Sequence, residues 1–381
     1  MRKDFGTILL VVLLALITAS VEPIFFNAAN LQNLLRWTGL FGILGVGAAF
    51  VIITGGIDLS IGSMVGLSGT VLTFLVADHE LSTSKAMVVA VGVSMLLGAF
   101  HGLLVTKMRL QPFVVTLCGL LLYRGLSRWL VGDQPRGFGT GHQEFKALFA
   151  KGMPVGAAWL VVAAALAAGV WIVRQHSHTR LRALRLRHVG VGLLLGGAAL
   201  AASASLGHDP MASVRVPAPF LWLLLAAVLA HVYLSATVGG RYLFAIGRNE
   251  EAVRFSGIRT HRHVVLAYVV CSGCAGFAGV MFALNTGVVS PQSQGNFYEL
   301  YAIAAAVLGG CSLRGGEGSI LGVVAGAALL RLLRNSINLL GISTELEFAV
   351  IGLVILLGVL TDELLRRFVE QRQAARRLRE G

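Results

Sequence analysis

The chain has 381 residues, of which 56% are apolar and only 13% charged, with a mean hydropathy of +0.79. A soluble domain carries about 25% charged residues, so a single water-soluble core is excluded and lipid is the solvent this composition fits. The formal charge of +13 does not imply a nucleic-acid partner, because the arginines cluster between apolar runs, where they set topology.

At the amino terminus, Met1-Arg2-Lys3 and the apolar run that follows from about Phe5 to Ala19 have the outline of a signal peptide. The run is long enough to stay embedded and more spans follow, so it reads as a retained first helix. Apolar segments recur near 38–54, 61–77, 86–105, 113–131, 156–173, 189–206, 219–237, 264–287, 299–311, 318–334 and 348–364. Most approach the roughly 20 residues a helix needs to cross the hydrocarbon. The expected fold class is all-α: a polytopic helical membrane protein of about 10–12 transmembrane helices with glycine-rich broken or re-entrant segments. Segment 299–311 is short and ends in Gly309-Gly310, the pattern of a re-entrant helix.

Arginine and lysine place the ends. With a cytoplasmic amino terminus, the inside segments carry Arg2, Lys3, Lys107 and Arg109, five arginines in 174–188, five in 239–263, Arg314 and the basic tail 365–381. The outside segments carry Arg36, Lys85, Arg136, Lys146, Lys151 and Arg215, while Arg124, Arg128, Arg331 and Arg334 lie in spans or at their ends. This positive-inside bias predicts both termini on the cytoplasmic side. A single transmembrane domain, 1–381, accounts for the chain, with 156–206 as an extra helix pair.

The densest signal is Thr54-Gly55-Gly56-Ile57-Asp58-Leu59-Ser60-Ile61-Gly62-Ser63. An acid between apolar runs survives only where protein or a water-filled path surrounds it, and broken backbone at that depth obeys the same condition. Gly55, Gly56, Asp58, Ser60, Gly62 and Ser63 are therefore candidate residues of a solute pathway, with Ser60 and Ser63 as caps of the next helix. Gly309 and Gly310 join them, because the stretch from Gly309 to Gly322 echoes the first break after a two-residue insertion. Asp58 is expected mainly to hold neighbouring N–H groups, and His101 to be a hydrogen-bonded packing residue rather than a proton relay. Cys271 and Cys274 have redox-like spacing but lie in an apolar run without a second ligand pair, so they read as packing.

In the basic inside loop 239–263, Gly247-Arg248-Asn249-Glu250-Glu251-Ala252 is followed by Ser256-Gly257. Asn249 caps, Glu250 and Glu251 favour a first turn, and Gly257 stops the chain. Such a short capped helix suits either a soluble partner or lipid headgroups.

Four ordered stretches resemble the permease subunits of bacterial ATP-binding-cassette (ABC) importers for monosaccharides, the ribose, xylose and galactose group. They are Gly55-Gly56-Ile-Asp-Leu-Ser-Ile-Gly-Ser63, the stretch from Ala245 to Ile258, the stretch from Tyr298 to Ser319, and Asn338-Leu-Leu-Gly-Ile342 with the run ending at Asp362. The likeness spans most of the chain, is weakest over 132–217, and with its added helix pair is most like the xylose permeases. It implies a homodimer of permeases in lipid, fed by an extracytoplasmic sugar-binding protein and driven by a separate ABC ATPase subunit that carries ATP and Mg. Gly247, Arg248, Asn249, Glu250, Glu251, Ala252, Ser256 and Gly257 would then contact that ATPase. The chain departs from the pattern at Arg248, Val253 and Phe255, at Tyr301 where an acid or amide is common, and at Arg314 and Glu317.

The chain itself has no phosphate loop, since none of Lys3, Lys85, Lys107, Lys146 and Lys151 follows a glycine. No catalytic triad, metal cluster or paired carboxylates is apparent, so the chain is expected not to be an enzyme and to bind no cofactor. The alternative is an ion-coupled secondary transporter of small polar solutes, for which Asp58 and His101 offer little relay material. A branched-chain amino-acid permease is the near neighbour, against which the Gly-Gly-Ile-Asp-Leu-Ser run argues. Glu299, near the outer end of its span, is a candidate contact for the binding protein.

Overall fold

The computed structural model describes residues 3–138, 153–154, 215–358 and 360. The expected helix pair 156–206 and the basic tail 365–381 lie outside the described residues. The helices are α1 (Lys3–Val21), α2 (Ala28–Ile53), α3 (Ile61–Ala77), α4 (Thr83–Lys107), α5 (Pro112–Leu130) and α6 (Ala218–Ala236). They continue with α7 (Val238–Phe255), α8 (Thr260–Thr286), α9 (Tyr298–Leu308), α10 (Ile320–Leu339) and α11 (Glu347–Gly358). Strands among the described residues are two-residue pairs: β1 (Arg136–Gly137) runs antiparallel to β4 (Val288–Val289), and β2 (Met153–Pro154) to β3 (Arg215–Val216).

Local chemistry sets the helix starts. Asn27 accepts from the Ala29 N–H at 2.9 Å to cap α2, and Thr237 accepts from Gly240 at 3.0 Å to cap α7. Pro112 and Pro219 occupy first turns of α5 and α6, where no N–H donor is needed.

Helices α2 and α8 form the centre. At 1.5 Å per residue their 26 and 27 residues span about 40 Å, more than the hydrocarbon thickness. Helix α8 packs on α4, α3 and α2, and α2 packs on α6, α9 and α10. Glycines let α2 serve several neighbours: a Cβ at Gly39 would strike the Pro219–Phe220 backbone, at Gly42 the Leu223 side chain, and at Gly47 the Cys271 and Cys274 positions. Without a hydrophobic force between helices in lipid, this close backbone approach is what dispersion requires.

Outside this centre, α1, α4, α5 and α11 expose Leu16, Ile17, Val88, Leu96, Leu121, Leu122, Trp129 and Leu356, the apolar surface a bilayer solvates. Six described helices (α2, α4, α5, α6, α8 and α10) are long and apolar enough to cross a membrane. Helix α9 is not: its 11 residues rise about 16 Å, in line with the short segment expected there.

Candidate functional site

Helix α2 ends where the glycines permit. Gly55 turns with φ of +85°, and the Gly55 and Gly56 N–H groups donate to Ile52 and Val51 carbonyls at 2.9 and 3.0 Å. The chain then runs non-helically to Ile61, with Asp58 only 2% exposed. Asp58 Oδ1 accepts from the Ser60 N–H at 2.8 Å and from the Ser60 hydroxyl at 2.6 Å. These bonds are the local donors expected for a buried carboxylate. Its other oxygen, Oδ2, makes no hydrogen bond within the polar atoms of the described residues.

The expected capping by Ser60 and Ser63 is corrected here. Ser60 occupies the N-cap position of α3 but has helical φ/ψ, so its hydroxyl does not reach the first-turn N–H groups. It serves the carboxylate instead, a stronger charge-assisted acceptor. Ser63 donates back to the Ser60 carbonyl at 2.9 Å. Around Asp58 gather His101, Tyr123, Tyr268 and Cys271, all within its electrostatic reach. His101 Nε2 and the Tyr123 hydroxyl are 2.7 Å apart in a stacked pair, which joins α4 to α5. Cys271 and Cys274 are free cysteines on α8 that pack against α2.

The second glycine stretch meets the first. After α9, Gly310, Gly315 and Gly316 have φ of +89°, +82° and +74°, and the Gly316 N–H donates to the Ile53 carbonyl at 2.9 Å. A Cβ on Gly315 would lie 2.9 Å from the Gly55 N and Cα. Gly309 is spent differently, against the Gly322–Val323 backbone of α10. Gly62 also faces away from the break, toward the Gly295 carbonyl and the Glu299 carboxylate. Glu299 is 7% exposed, so the expected outer contact gives way to a buried packing role.

Helix α7 completes the junction. The sequence put a helix only after Asn249; the backbone is helical from Val238, with a kink at Asn249 (φ −162°, ψ 94°). Asn249 nevertheless caps, accepting from the Ala252 N–H at 2.9 Å, and Gly257 ends the turn with φ of +81°. Arg248, Glu250, Glu251, Ala252 and Ser256 are exposed, Val253 is buried, and Phe255 is 80% exposed. Beside this short helix is an open cavity of about 520 Å³, lined by Arg241, Tyr242, Ala245, Val253 and Ile258 among others. Gly247, one turn before, lies against the Ile53 carbonyl and the Gly315–Gly316 backbone. Three separate sequence stretches thus share one backbone contact.

A further cluster escaped the sequence reading. Arg331 on α10 is 4% exposed, with its guanidinium 4.2 Å from the Phe41 ring and 4.9 Å from the Tyr301 ring. Tyr301 is one of the departures noted above, and its hydroxyl donates to Glu347 Oε1 at 2.8 Å. Arg334 Nε lies 3.4 Å from the same oxygen. Cation–π contact is worth about 2 kcal/mol when desolvated, less than the several kcal/mol that burial of a charge costs. The available signal was two arginines one turn apart in an apolar span. Spacing alone names no partner for either of them. Arg128, by contrast, pairs with Asp133 at the surface, and this bond holds the Asp133 carboxyl below its ordinary range.

The family described as branched-chain amino acid transport system / permease component matches residues 30–359. The ribose import permease protein of Escherichia coli K12 is 34% identical over 363 residues, covering 95% of this chain and 94% of that one. The xylose transport system permease protein of the same strain is 33% identical over 365 residues, covering 94% and 91%. The ribose import permease protein of Bacillus subtilis 168 is 30% identical over 363 residues, covering 94% and 92%. No solved structure matches.

Proposed function

This chain belongs to that permease-component family, and on that premise we propose that it is the membrane subunit of an ATP-driven importer that moves a monosaccharide, a pentose or hexose, across the bacterial inner membrane. The observation that carries the reading is full-length similarity to ribose and xylose permeases over more than nine-tenths of the chain. The buried Asp58 break and its neighbouring glycine loop support it as a solute pathway. Two copies in the bilayer, both termini cytoplasmic, would receive sugar from an extracytoplasmic binding protein.

Hydrolysis belongs to a separate ATPase subunit that holds ATP and Mg. The exposed, capped turn from Asn249 to Gly257 is the segment that subunit would grip. Gly247 would pass its displacement to the end of α2 and to the Gly315–Gly316 loop, because the three backbones touch without intervening side chains. Gly55, Gly56, Asp58, Ser60 and Ser63 would line or shape the pathway, Gly62 and Gly309 would hold the helices that flank it, and Gly310 would turn the loop.

The test is affinity purification from native membranes in mild detergent. A co-purifying ATPase subunit, lost when residues 248–258 are scrambled, supports the reading. A clean homo-oligomer that transports without ATP would favour the ion-coupled alternative and overturn it.

A further inference from the structure

The open cavity of about 520 Å³ beside the short helix of α7 has two unlike parts. Its floor is apolar and includes Ala245, Val253 and Ile258. Val253 belongs to the buried core, and Ala245 and Ile258 pack against that core. Its edge is polar, with Arg241, Tyr242 and Ser256. Because the floor is anchored in the core, the cavity exists before anything enters it. Its volume falls within the about 300–1,000 Å³ of formed binding pockets. Arg241 is exposed and makes no ion pair with any described residue.

Charge decides what fits. Between α6 and α8 the exposed arginines are Arg241, Arg248, Arg254, Arg259 and Arg262, against the acids Glu250 and Glu251, so positive charge is in excess. One of those acids, Glu251, already faces Arg254 at 3.6 Å. The chain's own stretches 174–188 and 365–381 are themselves rich in arginine, so repulsion makes both poor occupants. A lipid surface is disfavoured by geometry. Val253 lines the cavity while Phe255 is 80% exposed, and residues two apart on a helix lie about 200° apart around it. A helix resting in headgroups keeps its apolar residues on one face, and this one does not. The complementary occupant is a protein segment with an apolar side chain for the floor and a carboxylate for Arg241.

We propose that this cavity is a socket for the ATPase subunit, which seats a bulky apolar side chain over Ala245, Val253 and Ile258 and a neighbouring carboxylate on Arg241. The proposal rests on the ATP-driven importer reading above and names the chemistry of the ATPase contact. The grip is then reciprocal: the partner holds the turn from Asn249 to Gly257 and inserts a side chain of its own behind it. Ala245 lies two residues before Gly247, so the seated side chain bears on the segment that meets the Ile53 carbonyl.

The experiment uses the full-length permease in detergent and the ATPase subunit that co-purifies with it, with affinity measured at low and high salt. Ala245→Phe, which fills the floor, and Arg241→Glu, which reverses the edge charge, should each weaken binding tenfold or more. Arg241→Glu should also flatten the salt dependence. Lys107→Glu, an equal charge reversal at the exposed end of α4, is the control and should leave the affinity unchanged. A photocrosslinker, benzoylphenylalanine in place of the half-exposed Val238 at the cavity's edge, tells what enters. It should mark an ATPase segment that carries an acid beside a large apolar residue.

The crosslink leaves the floor and Arg241 intact, so it stands even if Ala245→Phe fails to fold. Crosslinks to phospholipid or to a second permease copy while the ATPase is bound overturn the socket. So does wild-type affinity in monodisperse Ala245→Phe and Arg241→Glu proteins. A loss with Lys107→Glu equal to that with Arg241→Glu overturns the role of Arg241. In each of these cases the ATPase still binds the wild-type chain, and the importer reading stands. Absence of ATPase binding to the wild-type chain overturns that reading, and the socket with it.

Discussion

Replacing Gly247 with alanine tests the shared backbone contact directly. The new methyl would meet the Ile53 carbonyl oxygen and the Gly316 nitrogen well inside the 3.0 Å below which Cβ contacts essentially never occur, and would lie 3.1 Å from the Gly315 carbonyl carbon. All three neighbours are backbone, so no side chain can swing aside. Overpacking of this kind costs about 1–3 kcal/mol. Weakening the hydrogen bond from Gly316 to Ile53 adds about 1 kcal/mol. The better helix propensity of alanine returns about 1 kcal/mol. The net is about 2 kcal/mol against the packed junction, roughly a 30-fold shift of any equilibrium that uses it.

Gly92→Ala is the control, since a Cβ there meets nothing within 4 Å. Uptake per ATP hydrolysed is measured in proteoliposomes that contain the permease, its ATPase and its binding protein, with the thermal midpoint in detergent alongside. Gly247→Ala should lower the midpoint by a few degrees and cut uptake at least tenfold while hydrolysis continues. Gly92→Ala should leave uptake at the wild-type value and raise the midpoint slightly, by helix propensity alone. If Gly247→Ala matches that control in uptake and midpoint, the junction is loose and carries no displacement.

Asp58→Asn keeps an oxygen acceptor for Ser60 and should insert normally while uptake falls several-fold; unimpaired uptake removes the charge from the mechanism. Asp58→Ala strands the Ser60 N–H and should cost a further 1–3 kcal/mol, about what an unmade buried bond costs, read as a lower midpoint than for Asp58→Asn. Glu251→Ala combined with Ser256→Arg alters only the exposed turn, and should uncouple hydrolysis from uptake without moving the midpoint. Tyr123→Phe removes the partner of His101 Nε2 and should lower the midpoint through the α4–α5 contact, again by about 1–3 kcal/mol.

Much was legible in the chain itself. Apolar runs of membrane-spanning length, the glycine break with its acid, and the Asn249 cap with its Gly257 stop are properties of local composition and backbone preference, which act over a few residues. Hence the sequence by itself determined a helical membrane protein, the place where α2 ends, and the short exposed turn.

Tertiary structure decided which of these features touch. Nothing in the spacing says that Gly247, Ile53 and Gly315–Gly316 converge, or that Gly62 faces Glu299 while Gly309 faces α10. Nor does it say that Ser60 serves Asp58 instead of capping α3, because that choice depends on the helical φ/ψ that Ser60 adopts after the break. Arg331 became more than one of several arginines only when α2, α9, α10 and α11 brought Phe41, Tyr301 and Glu347 around it. The physical reason is that partners, more than residue type, set what a buried polar group can do: long-range packing fixes them for the glycines and Arg331, and the backbone path after the break fixes them for Ser60.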